Sequence, residues 1–191
     1  MLRNIAEKQA DKMKGARYWR NLEFCLSLAV VLMLAFGIRN YVAEPIRVSG
    51  SSMIPTLHHG EHMLVEQVSY WARMPRRGEI IICYYPGYTE SCVKRVIGLP
   101  GETVSVHDGK LHIDGEPLTE TPYWGGWING TLEDVTVGER EVFVVGDNRN
   151  GSKDSRSESV GCIPMKKVLG RVRAVIWPIA GLRGMEEVVY P

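Results

Sequence analysis

The hydrophobic pattern divides the chain into a mixed polar head, one unbroken apolar run, and a long stretch that alternates in short steps. The run is residues 22–38, LEFCLSLAVVLMLAFGI, in which only Glu23 at its start is charged. At about 1.5 Å per residue it reaches roughly 25 Å, a little short of a ~30 Å hydrocarbon core, so flanking side chains would have to snorkel. Residues 24–36 show no polar face, which argues against a helix buried in a soluble core. Ala35-Phe36-Gly37 behind a basic head also fits the grammar of a cleaved signal peptide. Against that rival, the head is long and the small-x-small triplet sits inside the run. The expectation is a transmembrane anchor.

Beyond the run the period shortens to two. Strands are expected at 46–48, 62–68, 79–85, 93–97, 103–106, 110–113, 141–145 and 172–177, with turn residues between most of them. Asp108-Gly109 is the best hairpin signal, since a two-residue type I′ turn wants positive φ at both positions. Asp114-Gly115 closes the next strand. No long amphipathic helix competes. The stretch 120–138, with Trp124, Gly125, Gly126 and Trp127, fits the strand rhythm worst, as either a surface loop or an aromatic patch resting on a membrane. Residues 39–191 are expected to form one antiparallel β domain.

Charge sharpens this division. The net charge of the 191 residues is +1, which implies no bulk polyanion partner and no nucleic acid. Residues 1–20 nevertheless carry six Lys or Arg against Glu7 and Asp11, and Tyr18 and Trp19 sit where an interfacial aromatic belt would lie. The positive-inside rule then gives a cytoplasmic segment at 1–21, a single-pass anchor at 22–38 and an extracytoplasmic domain from 39 onward, in the cell membrane.

Candidate chemistry begins at Ser52 in Ser49-Gly50-Ser51-Ser52-Met53-Ile54-Pro55-Thr56. A serine hydroxyl is a weak nucleophile until a base takes its proton. His58, His59 and His62 follow closely, but their spacing lacks the glutamate placement of His-Glu-x-x-His. Lysine can serve if burial lowers its pKa. Lys94 lies in Cys92-Val93-Lys94-Arg95-Val96-Ile97-Gly98-Leu99-Pro100-Gly101, where alternation puts it with Cys92 and Val96 on one face and Arg95 with Val93 and Ile97 on the other. A third run, from Gly146-Asp147-Asn148-Arg149 through Ser152-Lys153-Asp154-Ser155-Arg156, follows a strand.

In this order the three runs resemble the bacterial type I signal peptidases, in their short Gram-positive-like form, from about residue 22 to about residue 178. The resemblance implies an all-β, antiparallel catalytic domain behind one transmembrane helix. It implies a membrane-anchored serine endopeptidase that cleaves signal peptides from exported preproteins after small-x-small sites. Ser52, immediately before Met53, would be the nucleophile and Lys94 the general base. Ser152 would hydrogen-bond the lysine amine, Asp154 and Arg156 would tie the site together, and Asp147 and Arg95 would support it. No metal or organic cofactor is required. Ile46, Val48, Leu57, Met63, Ile82 and Val93 would shape shallow apolar pockets for an extended peptide. Gly50 stands where some members carry a serine as second oxyanion donor, which leaves that donor open. The implied partners are preproteins carrying signal peptides and the lipid bilayer, with room for the secretion machinery.

Two other functions stay in view: a self-cleaving regulator with a Ser-Lys dyad, and an inactive peptide-binding scaffold. Cys25 falls in the anchor, and Cys83, Cys92 and Cys162 cannot all pair within one monomer. Cys83 and Cys92 flank a connection between adjacent strands and could approach each other.

Overall fold

A run with no polar face satisfies its backbone within itself, and in the computed structural model it does so as a helix. The structure describes residues 2–37, 43–120, 126–185, 188 and 190. Helix α1 spans Leu2–Gly37, and its part Trp19–Gly37, of mean hydropathy 1.6, is long and apolar enough to cross a membrane. Its 19 residues reach about 28 Å, close to a ~30 Å core, and contain residues 22–37 of the expected anchor. Its apolar side chains are exposed, with Phe24 at 69%, which is not the environment of a core helix. Ile38, the last residue of the expected anchor, lies outside the described residues.

Residues 43–191 form a separate unit. Its strands are β1 (Ala43–Arg47), β2 (His62–Glu66), β3 (Ile80–Tyr84), β4 (Ser91–Gly98), β5 (Thr103–His107), β6 (Lys110–Ile113), β7 (Glu116–Pro117), β8 (Leu132–Thr136), β9 (Glu141–Val145), β10 (Ile163–Pro164), β11 (Val168–Trp177) and β12 (Arg183–Gly184). A short helix, α2 (Ser69–Ala72), follows β2. All strand pairings among the described residues are antiparallel. The larger sheet runs β1-β2-β11-β3-β4-β9-β10, with β12 on β11, and the smaller one runs β7-β6-β5-β8. Every strand expected from the alternation is present. Strand β8 was not expected, because its sequence LEDVT offers only Leu132 and Val135 as apolar residues.

The hairpin reading rests on a real backbone requirement: Asp108 has φ 48° and Gly109 φ 69°. Trp127, from the stretch read as a loop or a membrane patch, lays its indole against this turn, where a Cβ on Gly109 would collide with the ring. Trp124 and Gly125 lie outside the described residues.

Topology brings the three runs together. Strand β4 lies inside the larger sheet between β3 and β9, and Arg95 faces Val145, the last residue of β9. The chain leaving β9 therefore enters Gly146 and Asp147 beside Lys94. Under this point Met53, Leu57, Met63, Val65 and Ile82 pack into one apolar cluster, each buried side chain contributing about 1.5–3 kcal/mol relative to exposure. This cluster anchors the loop between β1 and β2 that carries Ser52.

Candidate active site

The serine loop is held as a closed excursion between two paired strands. Val48 N–H donates to Glu61 O at 2.8 Å, and Gly60 N–H donates to Val48 O at 2.9 Å. Gly50 has φ +92°, a left-handed conformation that disfavours a side chain, and its N–H donates to His59 Nδ1 at 3.1 Å. Arg183 fixes the far side, donating to Thr56 O at 2.8 Å while pairing with Glu61 at 2.7 Å. Asn148, from the third run, holds Ser52 itself. Its N–H donates to Ser52 O at 3.0 Å, and its side-chain amide donates to Ser51 O at 3.1 Å.

Lys94 Nζ lies 2.7 Å from Ser52 Oγ and 3.0 Å from Val93 O. Lys94 is 3% exposed. Burial holds its ammonium below the ordinary lysine range, while the charges of Cys92, Asp154, Cys83 and Asp147 pull the other way. Arg95, the next residue, is as deeply buried but meets a carboxylate. Its Nε and an Nη donate to Asp147 at 2.7 and 2.6 Å, and another Nη donates to Gly78 O at 2.8 Å. Thr56 Oγ1 donates to the same carboxylate at 2.5 Å. Bidentate pairing of this kind satisfies both ions in a place where either alone would be costly.

Asp154 accepts from Gly146 N–H at 2.9 Å and from Arg156 through both oxygens at 2.8 Å, and Arg156 also donates to Arg149 O at 2.6 Å. These contacts fix the turn that begins beside Lys94. Gly146 has no room for a side chain, since a Cβ there would strike Ser52 O and the side chain of Ser152. Ser152 is thus packed beside the serine loop but does not hydrogen-bond Lys94: its hydroxyl donates to Lys153 O at 3.5 Å. The lysine amine is directed to Ser52 and Val93 instead, which corrects the expected contact.

A cleft of about 190 Å³ opens next to this pair, between residues 46–50 on one side and 91–93 on the other. Ile46, Val48, Gly50, Met63, Ile82 and Val93 line it as expected. Leu57 does not; it is fully buried in the cluster beneath the serine loop, where its apolar side chain supports rather than lines. Arg47, Ser49, Met53, Ser91 and Cys92 also line the cleft. None of these was expected to line the cleft, although Met53 marks the serine run and Cys92 is expected on the same strand face as Lys94 and within approach of Cys83. Thr56 and Asn148 stood inside quoted runs without a role. Arg183 is distant in sequence and carried no signal.

A hydroxyl in contact with a buried amine, next to an open cleft floored by apolar side chains, can carry out acyl transfer on an extended chain. Residues 21–177 match the family described as signal peptidase, peptidase S26. A signal peptidase I of Leptolyngbya laminosa is 37% identical over 171 residues, covering 83% of this chain and 80% of that one. Signal peptidase I T of Bacillus subtilis (strain 168) is 35% identical over 189 residues, covering 93% and 97%. A solved signal peptidase I from Enterococcus faecalis V583 is 34% identical, covers 52% of this chain and 97% of that chain, and has a TM-score of 0.44.

Proposed function

Since the chain belongs to the signal peptidase family, peptidase S26, it is a serine peptidase that cleaves signal peptides from preproteins, and we propose that Ser52 is its nucleophile and Lys94 its general base. The observation that carries this assignment is the 2.7 Å contact between Ser52 Oγ and a lysine amine that burial keeps towards neutrality. Neutral Lys94 takes the hydroxyl proton as Oγ attacks the scissile carbonyl, and the ammonium so formed protonates the departing amine. Water then resolves the acyl-enzyme with Lys94 again as base. Ser52 N–H is the first oxyanion donor. Asn148 supports this by holding the carbonyls on either side of that N–H. Arg95–Asp147 and Arg156–Asp154 hold the supporting turns.

The substrate is an extended segment seated between 46–50 and 91–93, with small residues one and three positions before the cut entering the apolar floor. The protein is anchored by its N-terminal helix. Positive charge before the span supports a cytoplasmic segment near 1–21, an anchor ending near 38 in the lipid bilayer, and a peptidase domain outside, where exported chains emerge from the secretion machinery.

The test is cleavage of a preprotein with an Ala-x-Ala site by the full chain in detergent. Ser52→Ala and Lys94→Ala should each lose roughly 10⁴-fold in kcat/KM, with the double variant little worse, because they act as one unit. Substantial activity in Lys94→Ala at neutral pH contradicts the assignment. Capture of the preprotein uncut by the unsubstituted chain contradicts peptidase action and favours a binding scaffold.

A further inference from the structure

The cleft holds a second nucleophilic group that signal peptide cleavage does not use. Cys92 lines it, and two residues further along the same strand is Lys94. Cys83 faces Cys92 across the β3–β4 ladder, with the two sulfurs 3.8 Å apart. Directly paired antiparallel residues have Cα atoms about 4.5–5.5 Å apart, which falls within the span a disulfide bridges. Cys83 is fully buried, so only Cys92 is open to a molecule entering the cleft.

We infer that Cys92 and Cys83 form a thiol–disulfide exchange site in the cleft, whose substrates are small linear disulfides and whose oxidised forms block peptide cleavage. The Cys92 thiolate attacks one sulfur of the small disulfide, forming a mixed disulfide and releasing one small thiolate. Cys83 then attacks Cys92 Sγ, its proton passing to the departing sulfur, so that the second small thiol is released. Two protein thiols are oxidised and one small disulfide is reduced to two thiols, so electrons balance without another reactant.

The local chemistry assigns the order of attack. The hydrogen bond from Cys83 is the largest influence on Cys92; it acts against burial and the thiol comes down to about 7, where thiolate and nucleophilicity are both available at neutral pH. Cys83 is pushed up by its hydrogen bond to Cys92 and by burial. Once Cys92 is capped, its negative charge is gone and Cys83 is released to resolve the adduct. The mixed disulfide occupies the 190 Å³ cleft, and the Cys83–Cys92 disulfide, which the backbone already accommodates, turns Cys92 Sγ towards Cys83 and fixes the cleft wall two residues from Lys94. The inhibition, unlike the exchange, rests on the proposal that this cleft receives the substrate.

The experiment uses the full chain with Cys25→Ser and Cys162→Ser, which removes the other thiols, incubated with glutathione disulfide and read by peptide mass and by preprotein cleavage. The expected product is a Cys83–Cys92 disulfide, with cleavage down about 10²-fold and restored by dithiothreitol. Cys83→Ser should stop at one glutathionyl group on Cys92, and Cys92→Ser should leave Cys83 unmodified. Ser52→Ala should exchange as the parent does, which separates this chemistry from peptidase action. No adduct at Cys92 in any of these proteins, with cleavage intact, overturns the exchange site and leaves the Ser52–Lys94 reading standing. Full cleavage by a quantitatively oxidised protein overturns the blocking role.

Discussion

Lys94 and Arg95 are neighbours on one strand, equally buried and formally of the same charge, yet their two surroundings treat them oppositely. On Arg95's side Asp147 meets the guanidinium with two short hydrogen bonds and Thr56 adds a third to the carboxylate. On Lys94's side the amine meets a hydroxyl and a carbonyl, and burial lowers its hold on the proton. A cation buried with a carboxylate stays charged and becomes structure; one buried without an ion-pair partner becomes a base. The strand's alternation delivers both from adjacent positions.

The largest way to break this contrast is Lys94→Arg. A guanidinium stays protonated in any surroundings, so kcat/KM should fall roughly 10⁴-fold, as for loss of the base outright. Lys94→Met should be as inactive while unfolding in urea no more readily than the parent. If Lys94 is held charged and structural, Lys94→Met will instead lose stability.

Asp147→Ala attacks the other side. It strands Arg95 in the interior, and urea unfolding should show a loss of about 3–5 kcal/mol. Asp147 is fully buried, so solvent offers little relief. A loss below about 1 kcal/mol would mean that the pair is no more than a surface-grade contact.

These contrasts show what a linear reading can and cannot reach. That Ser52, Lys94 and the turn beginning at Gly146 come together was legible because the groups proposed for catalysis sit in dense local runs, and the strands were legible because one sheet face must be apolar. The polar fastenings were not. Asn148 binds Ser51 and Ser52 through loop geometry, and Arg183 reaches Thr56 O from a residue far along the chain. Such side-chain-to-backbone contacts have no periodicity. Leu57 was misplaced for a related reason: nearness to Ser52 in sequence does not say whether a side chain faces the cleft or the packing below it. Ser152 shows that a residue can reach the expected neighbourhood without making the expected bond.

A smaller effect is expected from Asn148→Ala, which frees Ser51 O and loosens the peptide that presents Ser52 N–H. Losing about 1–2 kcal/mol of positioning corresponds to a fall of roughly 5- to 30-fold in kcat/KM, with urea stability close to the parent. Unchanged kcat/KM removes Asn148 from the site.

The smallest effect sharpens the Lys94 side. The Cys92 thiolate raises the lysine pKa, so Cys92→Ala should lower it and shift the acid limb of kcat/KM to lower pH. Activity should still rise with pH through that limb, because deprotonation makes the base. A limb displaced to higher pH reverses the sign and contradicts the electrostatic account.

The central claim is most directly tested by titrating the Lys94 amine itself. In the full chain with Ser52→Ala to prevent turnover, and with lysine labelled with ¹³C at Cε, the Lys94 resonance is identified by its loss in Lys94→Met and followed against pH. The account predicts that Lys94 titrates clearly below the other lysines. Titration of Lys94 together with them, near the ordinary value of about 10.4, would contradict a neutral lysine base.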